Sequence, residues 1–471
     1  MQIIRYIPGL FTKEEAQTMR HLSRATIPIV AIGALFLATS CSPDTGNGSP
    51  ADTLTIAVID NQDTERLREL SDAFTAEHPE ATIEWVVQDE NTLRQTVSTD
   101  VGTQTGRFDV VTLGTYEVEV WSDRELLTPL TEISESPDTQ DFIPTVREAL
   151  SHEGVLLASP LYAESVFTMY RTDVFEAAGI EMPEEPTWDD ILDIANGLSE
   201  SPEVDIAPVC IRGLPGWGQN VASLSAMAHS YGARWYDEEW AAQLDSPEWT
   251  RTLEDYVALA EFASDDVATS GHQENLLAFA DGECALWVDS TISASFLADP
   301  EQSSVADDVG FAPAPTGEDR TRTSWLWSWA LAIPSTSNNP ELAEEFVAWV
   351  SSDDYIDAMV EEYGWVNAPA GAHRDLYENP DYVAAAPFAP LVLEAIASAD
   401  VTDPATTPVP YVGIQYVAIP AFQSTGTAVG QQLTDAIQGE VTVAQAQENA
   451  QWVTNEIIEQ ARAVEHSEEE Q

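Results

Sequence analysis

The sequence predicts an α/β fold with a mainly parallel sheet. Three apolar, β-branched segments, at 54–59, 81–87 and 108–113, have the composition of buried strands. The segments between them, at 64–77 and 91–102, are predicted to be helices. Alternation of strands and helices is typical of parallel sheets whose strands are joined by crossover helices.

The first of these helices has the clearest pattern. Leu67, Leu70 and Phe74 recur at intervals that place them on one helical face, and Pro79 ends the segment. Most later helices have Asp, Ser, Thr or Pro at their start, as helix N-termini do. These later helices are predicted at 188–199, 247–262, 340–349, 384–397 and 443–464.

Segment 324–333 contains three alternating tryptophans and is predicted to be a strand. Side chains two residues apart share a strand face, so Trp325, Trp327 and Trp329 would point the same way. Two interpretations stay open for these indoles. They form an aromatic ladder in the core, or at least one of them stacks on a hydroxyl-rich ligand.

Other candidate site residues lie in loops. Ligands of parallel sheets bind beyond the carboxyl ends of the strands, where Tyr116 and Glu117 follow the third strand. Arg212 is one of few arginines, and it contacts either ligand hydroxyls or a structural carboxylate. Tryptophans and tyrosines in turn-rich segments have the mixed character of carbohydrate and polyol pockets. They are Tyr162, Trp217, Trp365 and Tyr411.

The charge balance excludes several kinds of partner. The 471 residues contain 18 Lys and Arg against 81 Asp and Glu, a formal net charge of −63. So negative a surface repels nucleic acid and anionic lipid. Its simplest explanation is solvation in a salt-rich or alkaline habitat, with a cationic ligand as the alternative. The length favours two or three domains.

The N-terminal segment resembles an export signal. Basic residues precede the apolar run 27–37, and small residues lead to Cys41. We therefore expect a lipoprotein signal peptide at 1–40, with Cys41 lipidated, and a flexible tether at 41–52. Ordinary cleavage to a free secreted protein is the alternative. Glu14 and Glu15 do not suit a basic leader, so we expect translation to start at Met19.

The remaining cysteines are Cys210 and Cys284. In an exported protein two cysteines suggest one disulfide, and two free buried thiols are the alternative. The seven histidines lie far apart in the sequence, and no local metal, phosphate-binding or nucleophile motif occurs. We therefore predict no metal, no cofactor and no catalytic residue.

Seven stretches together resemble a known family. They are 108–118, 162–171, 210–220, 284–291, 325–334, 376–380 and 408–416. In them the chain resembles the extracellular solute-binding proteins of sugar ABC importers, most of all the group that binds the polyols sorbitol and mannitol. The resemblance extends over residues 53–455 and supports pairing Cys210 with Cys284.

This resemblance implies a two-lobed, periplasmic-binding-protein-like fold of type II with the ligand in a cleft at the hinge. One lobe would comprise 53–160 and 291–348, and the other 161–290 and 349–471. The implied ligand-binding residues are Tyr116, Glu117, Tyr162, Glu164, Arg212, Trp217, Asp289, Trp325, Trp327, Trp329, Tyr411 and Gln415.

The implied function is capture of a sugar or sugar alcohol and its delivery to the ABC permease. The protein would be a monomer, touching the membrane only through its lipid anchor and binding no nucleic acid. A secreted carbohydrate-processing enzyme and a sugar-sensing receptor are the alternatives. Carboxylates are too abundant here for any pair of them to indicate a glycosidase.

Overall fold

A computed structural model describes residues 53–317, 321, 323–402, 404–405 and 407–469. The expected signal peptide 1–40, the tether 41–52 and Cys41 lie outside these residues. Within the described ranges, every helix is too short or too polar to traverse a bilayer.

The strands form one sheet of five, one of four and a short hairpin. The predicted strands 54–59, 81–87 and 108–113 are confirmed to within two residues. In chain order the strands are β1 (Thr53–Ile59), β2 (Thr82–Gln88), β3 (Val110–Leu113), β4 (Ser151–His152), β5 (Val155–Leu156), β6 (Ala158–Glu164), β7 (Val166–Arg171), β8 (Ala207–Cys210), β9 (Cys284–Ser290), β10 (Val309–Pro313) and β11 (Trp327–Ala332).

Helices surround both sheets. From the N-terminus they are α1 (Gln62–Glu77), α2 (Glu90–Thr103), α3 (Thr115–Ser122), α4 (Thr131–Ser134), α5 (Pro137–Gln140), α6 (Pro144–Ala149), α7 (Thr172–Ala178), α8 (Trp188–Glu200), α9 (Asn220–Ser230), α10 (Pro247–Ala260), α11 (His272–Ala280), α12 (Ser293–Ala298), α13 (Pro340–Val350), α14 (Asp353–Tyr363), α15 (Pro380–Ala385), α16 (Ala389–Ala397), α17 (Phe422–Ile437) and α18 (Val443–Glu469).

One predicted helix is divided. Segment 384–397 was expected to be continuous, but α15 ends at Ala385 and α16 begins at Ala389. Pro387 lies between them, and its ring removes an amide donor and crowds the preceding turn. Its neighbour Phe388 is fully buried, so the break also places an aromatic ring in the core.

The five-stranded sheet has the order β2-β1-β3-β11-β6 and forms the first lobe with its helices. Strands β1, β2 and β3 are parallel, joined by α1 and α2 as the sequence predicts. Strand β11 is antiparallel to both β3 and β6, so it is the one reversed strand of this sheet.

The four-stranded sheet has the order β10-β7-β9-β8 and forms the second lobe. Strands β8 and β9 are parallel, whereas β7 is antiparallel to β9 and β10. The chain passes from the first sheet to the second at Ser165, between β6 and β7, and returns between β10 and β11. Each sheet is therefore mixed, with a single reversed strand.

The expected lobe boundary at residue 291 needs correction. Strand β10 lies within the segment 291–348 that was expected in the first lobe, yet it pairs with β7 of the second sheet. Helix α14, expected in the second lobe, packs against α1 of the first, where Tyr363 donates to Glu69. Strand and helix partners distant in sequence decide such boundaries, and no local pattern reveals them.

Cys210 and Cys284 form a disulfide, as expected, with 5.7 Å between their Cα atoms. Cys210 ends β8 and Cys284 begins β9, so the bond ties neighbouring parallel strands together. Two residues beyond Cys210 lies Arg212, and the disulfide thus fixes the strand end from which a candidate site residue projects.

Candidate functional site

A cavity of about 340 Å³ lies between the two lobes. That volume is in the range of small-molecule sites. Residues of α1, α2, β6 and β11 line it from the first lobe, and the segments after β8 and β9 line it from the second. The predicted site residues that line this cleft are Tyr162, Glu164, Arg212, Trp327, Trp329 and Gln415.

Strands β6 and β11 position one wall of the cleft. In their antiparallel register Trp327 lies opposite Glu164, and Trp329 lies opposite Tyr162. Directly opposed residues share a sheet face, so both indoles and both polar groups face the cavity. The Tyr162 hydroxyl accepts a 2.8 Å hydrogen bond from Asn61, the residue that caps the N-terminus of α1.

Two carboxylates and three indole rings surround the guanidinium of Arg94 on α2. Its guanidinium donates to Glu90 and to Glu117, each at 2.9 Å. The same group lies 4.0 Å from the ring centroid of Trp217, 4.6 Å from Trp327 and 4.8 Å from Trp329. Cation–π contact with desolvated rings stabilises this orientation.

Glu117 therefore does not line the cleft, and it binds the side of Arg94 that faces away from the cavity. Its other oxygen accepts the Gly114 amide at 3.0 Å, which caps α3. Burial raises the pKa of Glu117, and the adjacent Arg94 guanidinium opposes that shift. The expectation that Glu117 faces the ligand is replaced by a role in orienting Arg94.

Arg212 is the second arginine of the cleft, and it makes the structural carboxylate contact that was one of its two interpretations. It lines the cavity, and it also forms a bidentate pair with Asp289, with Nε 2.8 Å from the carboxylate. Burial disfavours ionisation of Asp289, but the adjacent guanidinium holds its pKa below the ordinary value. Asp289 does not line the cavity, contrary to expectation, because Arg212 lies between them.

Glu164 lines the cleft as a buried carboxyl group without a directly bonded cation among the described residues. Burial raises its pKa to about 8, a shift that the charges of Asp289 and Glu90 reinforce. A hydrogen bond from the Ser290 hydroxyl and the charge of Arg212 oppose the rise. At neutral pH, Glu164 is therefore mainly protonated.

The three tryptophans separate into two roles. Trp327 and Trp329 line the cleft, with ring centroids 5.5 Å apart in an edge-to-face arrangement. Trp325 is fully buried and does not line the cleft, although alternation predicted a shared face. Strand β11 begins only at Trp327, so the two-residue period does not extend back to Trp325. The core interpretation holds for Trp325 alone.

Four other predicted aromatic residues lie outside the cavity, among them Trp365, which begins a short 3-10 helix. Trp217 packs behind Arg94, and its ring contacts Tyr116 and Tyr416 at centroid distances of 5.0 and 4.8 Å. The Tyr116 hydroxyl donates to the Ile419 carbonyl at 2.7 Å. Tyr411 accepts the Trp235 amide at 3.1 Å, away from the cleft.

Sequence reasoning missed several polar residues of the cleft. Asp63 and Glu90 give no signal in so acidic a chain, and Arg94 lies within an ordinary helical pattern. Tyr416 lies next to the predicted Gln415 and ends one of the seven stretches, so that signal was available. The additional cleft residues include Asn61, Asp63, Glu90, Arg94, Gln219, His272, Ser293 and Tyr416.

His272 is a neutral member of this set. Burial lowers its pKa to about 4, and its Nε2 lies 3.0 Å from the Ser293 hydroxyl. Among the described residues, no cluster of three or more His, Cys, Asp or Glu side chains could hold a metal ion. The cleft therefore offers hydrogen-bonding groups and indole faces.

A larger cavity, of about 650 Å³, lies on the other side of Gln415 and Tyr416, which line both spaces. Its walls are α3, α6, the β4–β5 hairpin and the loop residues 401–402, 412–416 and 418. The smaller cleft is the better candidate because it holds the buried arginines and carboxyls and is bordered by both lobes.

Comparison with known proteins shows the family to which the chain is related. The family model for bacterial extracellular solute-binding proteins matches residues 60–356. A mannitol-binding protein of Pseudomonas aeruginosa is 40% identical over 405 residues, which is 86% of this chain and 92% of that protein.

Solved structures give close matches as well. An ABC transporter solute-binding protein of Agrobacterium vitis, solved with bound D-mannitol, has a TM-score of 0.84 and 47% identity, covering 87% of this chain and 99% of that one. A solute-binding protein of Agrobacterium radiobacter in complex with ribitol has a TM-score of 0.76 at 22% identity, covering 87% and 100%. The second match shows the shared two-lobed fold.

Proposed function

This chain belongs to the bacterial extracellular solute-binding protein family, and from that premise we propose that it captures a linear sugar alcohol for an ABC importer. The cleft between the lobes carries the proposal, since it combines two fixed arginines with two indole faces. Relatives named for mannitol or solved with D-mannitol, at 40% and 47% identity, favour mannitol as the solute.

The arginines of the cleft carry no unpaired positive charge that would favour an anion. Arg94 is paired with two carboxylates, Glu90 and Glu117, and Arg212 is paired with Asp289. Fixed guanidinium N–H groups remain strong donors to hydroxyl oxygens in this arrangement. Glu164 and Gln415 accept from the hydroxyls, and the C–H edges of the ligand pack on Trp327 and Trp329.

We assign ligand contact to the predicted residues that line the cleft, namely Tyr162, Glu164, Arg212, Trp327, Trp329 and Gln415. A polyol hydroxyl missing from the ligand would leave one of these buried polar groups unpaired. Such a group costs about 1–3 kcal/mol, which is the basis of discrimination against deoxy analogues.

Delivery requires that the protein stay near its permease. We propose that Cys41 is lipidated, that 42–52 tethers the folded protein to the membrane, and that it acts as a monomer. The apolar run before Cys41 and the small, polar tether support this arrangement. Replacing Cys41 with Ser would release the protein into the medium, which cell fractionation detects. Equal membrane retention of C41S would contradict the anchor.

Calorimetric titration of the purified protein in high salt tests the function. We expect one saturable site for D-mannitol, weaker heat with sorbitol or ribitol, and no product after hours of incubation. Heat only with cyclic saccharides such as maltose would overturn the polyol assignment. Turnover of any ligand would overturn the assignment as a binding protein.

A further inference from the structure

The two lobes touch across the mouth of the cleft through a direct hydrogen bond. Glu90, the first residue of α2 in the first lobe, accepts from Gln219 Nε2 at 3.0 Å. Gln219 lies in the segment between β8 and α9, which belongs to the second lobe. Both residues line the cleft, so the bond closes one side of the cavity.

The Glu90 carboxylate is not free to move away from this contact. Arg94 donates to its Oε1 through two nitrogens, each at 2.9 Å. Arg94 is in turn held by Glu117 and packed against Trp217 of the second lobe at 4.0 Å. The position of Glu90 is therefore set by a buried, fully paired arginine.

Gly218 provides the space for this approach. A Cβ atom at residue 218 would overlap Glu90 Oε1, and it would lie 3.0 Å from Glu90 Cδ and 3.4 Å from Arg94 Nε. The backbone of Gly218 is not left-handed, so its conformation alone does not require glycine. The absence of a side chain matters here for packing across the two lobes.

The same segment is connected to the second arginine of the cleft. The Gly218 carbonyl accepts from Arg212 at 3.2 Å, while Arg212 is fixed by Asp289. A continuous set of contacts thus runs from Arg212 through Gly218 and Glu90 to Arg94. Both arginines line the ligand cavity, one from each lobe.

We propose that Gly218, Glu90 and Gln219 form a latch that sets how far the lobes close and how long the ligand stays bound. This inference rests on the proposed function, because it concerns retention of the solute in that cleft. The latch contacts exist only when the lobes are closed, so they add stability to the ligand-retaining state and not to the open one. These three are positioning residues, acting through the two arginines.

The substitution Gly218→Ala tests the latch, with Gly102→Ala as the matched control. Gly102 lies on α2 with nothing within 4 Å of its would-be Cβ. We expect G218A to bind mannitol at least about tenfold more weakly, mainly through faster dissociation, with an unchanged melting temperature in the absence of ligand. G102A should bind as the wild type does. Equal affinity of G218A and G102A would overturn the latch.

Gln219→Ala and Gln219→Glu separate the hydrogen bond from the packing. The alanine removes the donor to Glu90 together with the Oε1 that accepts from the His272 amide at 3.3 Å. The glutamate keeps an acceptor for that amide and places a second carboxylate against Glu90. We expect the order of affinity to be wild type, Q219A, Q219E, because repulsion between like charges adds to the lost bond. Wild-type affinity in both variants would contradict a role for this contact in closure.

Small-angle X-ray scattering distinguishes failure of the latch from failure of the proposed function. At saturating mannitol, the radius of gyration should fall for the wild type and G102A and stay larger for G218A. If the wild type shows neither binding heat nor a fall in radius with any sugar alcohol, the proposed function fails, and the latch fails with it. If the wild type and G102A bind mannitol and contract, and G218A contracts to the same radius, the latch alone is overturned.

Discussion

Glu164 shows how a single buried carboxyl can serve an uncharged ligand. The negative charges of Asp289 and Glu90 raise the pKa of Glu164. Arg212 forms its bidentate pair with Asp289 and not with Glu164. With its pKa raised to about 8 by burial, the group is mainly a neutral acid at pH 7. A neutral carboxyl donates one hydrogen bond and accepts others, which matches a hydroxyl that does both.

Glu164→Gln should gain stability relative to the wild type as pH rises from 5 to 9. The folded-state pKa is raised, so the folded protein holds more protons than the unfolded chain, and the acid costs stability increasingly between about pH 4.5 and 8. Glutamine does not titrate and removes that cost. Urea unfolding of both proteins at pH 5, 7 and 9 measures the difference.

The exposed substitution Glu65→Gln is the control for the loss of one carboxyl group from the acidic chain. E164Q should also keep mannitol affinity within about threefold at pH 7, since an amide donates and accepts as the neutral acid does. A difference in stability that shrinks as pH rises would contradict the assigned protonation state.

Arg94→Lys should weaken mannitol binding by about tenfold or more. Lysine keeps the positive charge, but it loses the planar contact with three indoles and the simultaneous bonds to Glu90 and Glu117. Titration calorimetry measures the effect, with the exposed Arg68→Lys as control. If R94K bound as tightly as R68K, the oriented guanidinium would have no part in recognition.

At the scale of secondary structure, β8 and β9 act as one unit. The disulfide joins Cys210 to Cys284, and a second link joins Arg212, two residues beyond β8, to Asp289 near the end of β9. The covalent bond therefore supports the geometry of a cleft residue as well as the stability of the second lobe. The disulfide and the Arg212–Asp289 pair can both form because β8 and β9 are adjacent parallel strands of one sheet.

Removal of the disulfide in C210A/C284A should lower the free energy of unfolding by about 4 kcal/mol, from the loop that it closes. Mannitol affinity should fall as well, because the strand end that carries Arg212 loses a constraint. Urea denaturation and calorimetry of the double variant give the two values. Wild-type protein in reducing agent should behave like the variant, and unchanged stability in both would contradict a structural role.

The molecule as a whole carries a large excess of negative charge. A formal charge of −63 on 471 residues repels itself in the compact state, since cations are scarce on the same chain. Ion pairing does not relieve the repulsion among surface carboxylates, because arginines such as Arg94, Arg212 and Arg66 are buried. Screening by dissolved salt is the remaining means of reducing the repulsion.

The thermal midpoint should therefore rise steeply with sodium chloride between 0.1 and 2 M. The screening length falls from about 10 Å at 0.1 M to about 3 Å at 1 M, so most of the gain should come below 1 M. Potassium chloride should give the same rise, and chloride is preferable to sulfate, which also strengthens apolar burial. A flat midpoint in differential scanning calorimetry would contradict this electrostatic account.

The sequence by itself determined the first three strands, the two helices between them, the disulfide partners and the family. Apolar periodicity is local, so Leu67, Leu70 and Phe74 reveal α1 without knowledge of its partners. The motif around Trp327 and Trp329 also identified two cleft residues, since alternation along a strand is a local rule.

Only the tertiary structure decided which polar residues line the cleft. Glu117 and Asp289 were expected to line the cleft. Instead, each forms an ion pair with an arginine that lines the cleft. Arg94 gave no sequence signal, because its pair with Glu90 is an ordinary contact within one helix, whereas Glu117 and the indole partners come from other segments of the chain. Such partnerships depend on strand order and lobe closure, which arise from long-range packing and cannot be read from neighbouring residues.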